Sequence, residues 1–361
     1  MKGMEAYLAS FSEGRRLSKN LQINGFRTLL CLLVIAYHYG GIYFVRFGYW
    51  NHLDPLYPNL IIMVVGLFFL ISGFFLSFSS PWDFLKSKFL RIYLPYALTT
   101  AVVFLVCYPA GYPNYISWRE WGLNFLIYPL AMKEAGYAAG NLWFIVYLWV
   151  FYTLYFFLNL LAWPFRKKIN LVPILMGICG VFAFSYRYIG WGSDASQVHQ
   201  FFDMLFLGHY HAYSFLYIGY ALRLTYDSWK AEAKWPYTLV AFIFLLAFLS
   251  FLMVQLYGDD HYHWGSAIAF YGLLALFLLC LFEKLPFFKA VPFQWLGSAS
   301  MWIYMIHENL GYLVIHSFME VDSSLYPIGV SLAIIFALLA GLLINLTYDK
   351  ALAFIKKRRS L

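Results

Sequence analysis

Ten apolar runs set the limits on what this 361-residue chain can fold into. Each is long enough to cross a hydrocarbon core of about 30 Å at about 1.5 Å per helical residue. They lie near 21–46, 59–80, 88–109, 141–163, 171–190, 200–224, 236–257, 264–283, 291–316 and 327–355. Backbone polar groups inside a bilayer must find partners within the segment, so runs of this kind fold as helices. The expected fold is therefore all-α, a polytopic membrane bundle of about ten transmembrane helices. The chain is 12% charged, against about 25% for a soluble domain, which excludes a soluble globular protein. Residues 118–133 are apolar but too short to span and read as an interfacial or re-entrant piece. The first run follows about twenty polar and charged residues and lacks a small-residue cleavage signature, so it reads as a retained helix. One membrane domain over 1–361 is expected, without repeat or soluble appendage. Residues 1–20 would form a cytoplasmic N-terminal segment and 356–361 a basic cytoplasmic tail.

Charge sets the orientation. The net charge of +8 would suit nucleic acid if it formed a basic face, but the positive residues sit in short clusters between apolar runs. With the N-terminus inside, twenty of the 25 basic residues fall on the inner side. Arg46, Arg119, Lys133 and Arg187 fall outside, and Arg27 lies within the membrane. Cytoplasmic loops carry such an excess, and one helix more or fewer would destroy the asymmetry. Both termini are thus expected in the cytoplasm, with membrane lipids and not nucleic acid as surroundings. Cys31, Cys107, Cys179 and Cys280 all fall in apolar runs without metal-ligand spacing, so neither a disulfide framework nor a metal site is expected.

The first run carries Arg27 and, eleven residues on, His38. Eleven steps of about 100° make three turns and about 20°, which puts both on one face about 16 Å apart. Ionisable groups in a membrane helix are costly and tend to face a partner or a water-filled cavity. Two readings fit: a stripe lining a site, or an arginine snorkelling to the interface and a histidine bonded to a neighbouring helix. In the second run Ser72-Gly73 makes a packing notch. Lys88 and Arg91 open the third run one turn apart, as a phosphate-binding pair or as inner-leaflet anchors. Pro95 should kink or locally open that helix. Trp143 fits an outer aromatic belt. His307 and Glu308 lie deep in the ninth run, where a satisfied core histidine and a functional one are both open readings. His209 and His211, with Asp203 upstream, fall on different helix faces and make poor joint ligands. Asp259, Asp260, His261 and His263 form an outer loop group suited to a polar acceptor or simply to solvent.

Taken in order, these segments resemble the acyltransferase-3 family of integral membrane acyltransferases. The matching features are Arg27 and His38 with ten residues between them, Gly66 to Phe74 around Ser72-Gly73, and Lys88 to Pro95. Leu142 to Phe144 and Gly297 to His307 complete the set. Two carboxylates frequent in that family are replaced: Asn24 stands three residues before Arg27, and Tyr147 and Trp149 follow the fourth-helix tryptophan. The resemblance implies acyl transfer in the bacterial inner membrane, from acetyl-CoA as donor substrate to a hydroxyl of a cell-envelope glycan or lipid-linked sugar. It makes His38 and Arg27 the candidate catalytic residues. Arg27, Lys88, Arg91 and Ser72 become candidates for holding acyl-CoA, and Trp143, Tyr304 and His307 for meeting the acceptor. No resident cofactor or metal is implied. A transporter or flippase for a lipid-linked glycan is the alternative, although no internal repeat supports it. A non-enzymatic assembly subunit would have no need of both Arg27 and His38.

Overall fold

The computed structural model describes residues 20–39, 57–76, 80–107, 109, 122, 142–166, 171–179, 210–230 and 264–359. Its helices are α1 (Leu21–Tyr37), α2 (Tyr57–Phe74), α3 (Pro81–Lys88), α4 (Leu94–Cys107), α5 (Trp143–Ala162), α6 (Tyr210–Lys230), α7 (Trp264–Leu281), α8 (Val291–Val321) and α9 (Tyr326–Arg359). A further helical stretch covers 172–179, and no strand occurs among the described residues. Helix thus stands within every expected run except 236–257, which lies outside the described residues together with 118–121 and 123–133. Pro81–Cys107, Trp143–Phe165 and Ser323–Ile355 are each long and apolar enough to cross a membrane. Among the described residues the protein is all-helical, with the spans of an integral membrane protein.

The third helix begins earlier than its apolar run. Ser80 stands just before it, Pro81 opens it, Asp83 sits in its first turn, and Lys86 and Lys88 lie in its last. Each choice suits its end: proline lacks only an N–H that the first turn would leave unpaired, and the charges complement the helix dipole. Phe89–Tyr93 then widens into a π-turn before α4. Pro95 explains the widening, because it has no N–H to give to the carbonyl four residues back and its ring crowds that carbonyl.

The chain divides into two compact units. One comprises Met1–Asn20, Ile62–Tyr93 and Phe144–Tyr271. In it α2 and α6 meet backbone to backbone: a Cβ at Gly73 would strike the Leu216 carbonyl, and one at Gly219 the Leu70 carbonyl. Small residues at such crossings allow close approach where lipid supplies no hydrophobic drive. The notch expected at Ser72-Gly73 is this crossing. Arg223 of α6 is buried and paired with Asp227 one turn on, at 2.6 Å.

The other unit comprises Leu21–Ile61, Leu94–Trp143 and Gly272–Leu361. Here α8 is the central element, packed by α1, α4 and α9. Pro292 lies in the first turn of α8, and extended Asp322 ends it, accepting a bond from the Ser324 N–H at 2.8 Å. That bond to the charged form holds the exposed Asp322 carboxyl below its usual range. The first turns of α1 are clasped to the start of α8. Gln22 accepts from the Leu285 N–H at 2.8 Å, and Thr28 donates to the Phe293 carbonyl at 2.7 Å. Asn24 donates to the Gln294 main-chain carbonyl and to its side-chain oxygen, at 3.0 and 3.2 Å. Gln294 in turn donates to the carbonyls of Leu21 and Phe288, each at 2.6 Å. A Cβ at Gly25 would strike the Phe288 carbonyl, and one at Gly297 the Asn24 carbonyl. The two helices therefore start level and run parallel.

Candidate functional site

Parallel helices that start level bring residues of equal depth together. His38 stands 17 residues beyond Leu21 and His307 stands 16 beyond Val291, so each lies about 25 Å along its helix. The two imidazoles meet: His38 Nδ1 and His307 Nε2 are 2.7 Å apart, and both rings are buried. His307 Nδ1 lies 2.6 Å from the Tyr304 carbonyl, which can only accept, so this nitrogen carries a proton. A neutral His307 then presents Nε2 as an acceptor, and His38 donates to it from Nδ1. It follows that the lone pair of neutral His38 resides on Nε2, the nitrogen facing away from His307. Glu308 stands on that side, with its Oε2 3.9 Å from His38 Nε2.

Three phenols hold the main chain around this pair. Tyr39 donates to the His307 carbonyl at 2.5 Å, and Tyr312 to the His38 carbonyl at 3.2 Å. Tyr326 donates to the Tyr39 carbonyl. The helix widens at His38 and Tyr39, which turns carbonyls away from the ordinary ladder and leaves them for these hydroxyls. Gly311 makes room for the Tyr39 hydroxyl, which any Cβ there would strike. An imidazole with its tautomer fixed, its main chain pinned and one basic nitrogen left open suits proton abstraction from a hydroxyl.

The family model described as "Acyltransferase domain" matches residues 20–346, a range that contains both histidines and all the helices that position them. The chain belongs to the acyltransferase-3 family. No curated protein matches the chain. No solved structure matches it either. Membership makes this an acyltransferase and leaves the transporter reading without support.

The family's first-helix pair sits as the spacing required. Arg27 and His38 belong to one helix, with Arg27 half-buried among the clasped turns at its start. His307 joins His38, and Tyr304 meets His307 through its carbonyl and through its ring, which lies 5.6 Å from that of His307. Trp143 is the half-buried first residue of α5 and belongs to the same unit. Lys88, Arg91 and Ser72 belong to the other unit. The Lys88 ammonium lies over the Tyr152 ring at 4.1 Å and near that of Phe84 at 5.3 Å, while Arg91 is exposed in the π-turn. Ser72 gives its hydroxyl proton to the Phe68 carbonyl at 2.7 Å, so it offers lone pairs but no donor to a phosphate. Asp203, His209 and the group Asp259, Asp260, His261 and His263 lie outside the described residues.

The pairing of His38 with His307 was missed from the residues alone, since 269 positions separate them. A usable signal was present: with the first and ninth runs both leading outward, equal depth predicts a meeting. The asparagine that stands in place of an aspartate frequent in the family also has a structural reason. Asn24 gives two hydrogens to oxygens of Gln294, and an aspartate has none to give.

Proposed function

We propose that this acyltransferase moves an acetyl group from acetyl-CoA to a hydroxyl of a cell-envelope glycan or lipid-linked sugar in the bacterial inner membrane. The observation that carries this reading is the open Nε2 of His38, whose Nδ1 is committed to His307 at 2.7 Å. His38 acts as general base. The acceptor oxygen bonds to the thioester carbonyl carbon while its proton passes to Nε2. The carbon–sulfur bond then breaks, and the departing sulfur takes the proton, so the products are the ester and CoA thiol. Arg27, Lys88 and Arg91 are each candidates for the donor's phosphates, since guanidinium and ammonium groups match phosphate oxygens. Trp143 and Tyr304 serve the acceptor end.

Incubating the purified protein with radiolabelled acetyl-CoA and envelope glycan tests the reading. Label should appear on the glycan, and CoA thiol should be released in equal amount. Glycan that stays unlabelled while CoA thiol forms would overturn the acceptor class. Replacing Lys88 and Arg91 together by Gln should weaken acetyl-CoA binding, and raised ionic strength should weaken it in the parent. Unchanged binding would reduce the pair to topology anchors.

A further inference from the structure

Two successive residues of α8 bracket one imidazole. His307 meets His38 at Nδ1 at 2.7 Å, and Glu308 faces Nε2 at 3.9 Å. Successive helical residues point about 100° apart, which lets one helix reach both nitrogens of a ring presented by its neighbour. We propose that Glu308 is the electrostatic partner of the His38 imidazolium that forms during turnover. The inference rests on the reading of His38 as general base.

The chemistry follows from the bond lengths. At 3.9 Å the carboxylate is beyond hydrogen-bond reach of Nε2, so it does not occupy the lone pair that must take the acceptor's proton. When that proton arrives, His38 carries a positive charge with His307 donating nothing to it. Among the described residues the acidic side chain facing it is Glu308, which, like His38, is largely withdrawn from solvent. Coulomb attraction is strong where water is scarce, and it acts only after the proton has moved. An interaction of that kind lowers the barrier without tightening ground-state binding, so its removal should act on kcat and not on affinity for acetyl-CoA. Among the described residues, α8 presents to His38 the imidazole of His307, the carboxyl of Glu308 and the phenol of Tyr312. Among them Glu308 alone is an acid of the carboxyl type, the group able to face an imidazolium with a negative charge. Because Glu308 acts through His38, it is a positioning residue and not a catalytic one.

The experiment compares purified parent, E308Q, E308A and E308D, with radiolabelled acetyl-CoA and envelope glycan. The expected loss of kcat in E308Q is about tenfold or more, below the 10²–10⁴-fold of the whole base. Its Kd for acetyl-CoA and its melting temperature should match the parent's. Sodium formate should restore part of the turnover of E308A and none of that of E308Q, since only alanine vacates the carboxylate's volume. E308D should keep more turnover per folded molecule than E308Q, and this comparison stands even if E308A fails to fold. Parent-like kcat in E308Q overturns the inference. A loss that tracks weaker acetyl-CoA binding or a lower melting temperature overturns it too. A parent that transfers no acetyl group would instead overturn the proposed function.

Discussion

The helix pair α1 and α8 is joined by polar side chains at both ends, and the two ends differ in kind. At the start, Gln22, Asn24, Thr28 and Gln294 exchange bonds with each other and with main-chain groups of 285–294. About 25 Å further on, His38, His307 and Glu308 meet, and none of the polar side chains at the first end titrates near neutral pH. The first end spends its donors and acceptors on static pairing. The second leaves one basic nitrogen open beside a carboxylate. Buried polarity in a membrane helix is therefore not a mark of function by itself. What sets the second end apart is a titratable group whose second nitrogen has no committed role in holding the helices together.

Replacing His38 by Gln makes the sharpest separation. The amide keeps polarity and approximate size but removes the base. Turnover should fall about 10²–10⁴-fold, roughly 3–5 kcal/mol of transition-state stabilisation. The lost interhelical bond is worth only about 0.6–1.7 kcal/mol, so the melting temperature and acetyl-CoA affinity should change little. A variant within about tenfold of the parent would make the far end as structural as the near one.

The converse variant is Asn24→Asp. It restores the carboxylate common in the family but aims it at two oxygens of Gln294. Two donors are lost and like partial charges face each other, at a cost of about 1–3 kcal/mol in stability. Rotating the Gln294 amide offers no relief, because its nitrogen already serves Leu21 and Phe288. Thermal unfolding in detergent should register the cost, and turnover per folded molecule should stay at the parent level. A fall in turnover larger than the fall in folded protein would break the separation of the two ends.

The legible parts of this molecule are those written in local pattern. Apolar run length gave the helices, and Pro95 gave the opened turn ahead of it. The spacing of Arg27 and His38 gave their common helix, and the small residues of Ser72-Gly73 gave the crossing of α2 and α6. The unread parts depend on register between distant helices. Nothing near His307 in sequence says that it will touch His38, because the register is set by the clasp at Asn24 and Gln294 and by the close approaches at Gly25 and Gly297. The roles of Tyr39, Tyr312 and Tyr326 were unread for a related reason. Their hydroxyls serve carbonyls exposed by a widened turn, and a chain with 31 tyrosines gives no cue to which ones do so.

The smallest expected effect lies in the turn that receives the clasp. Glu283 closes α7 with φ at 57°, the left-handed region that favours glycine. Lys284 N–H bonds to the Leu279 carbonyl at 2.8 Å and Glu283 N–H to that of Cys280 at 3.1 Å, the paired bonds of a glycine-type helix ending. A side chain there costs about 1–2 kcal/mol. Against this, glycine frees the unfolded chain at about 0.4–1 kcal/mol. It also forfeits the exposed pair between Glu283 and Lys289 at 3.0 Å, of the kind worth about 0–1 kcal/mol. Glu283→Gly should therefore change stability by no more than about 1–2 kcal/mol in either direction, a shift of at most a few degrees in melting temperature. Turnover per folded molecule should not move, since two residues further on Leu285 only hands its N–H to Gln22. If turnover did change, the turn, the clasp and the imidazole pair would form one coupled device, and the boundary between holding and chemistry along α1 would have to be redrawn.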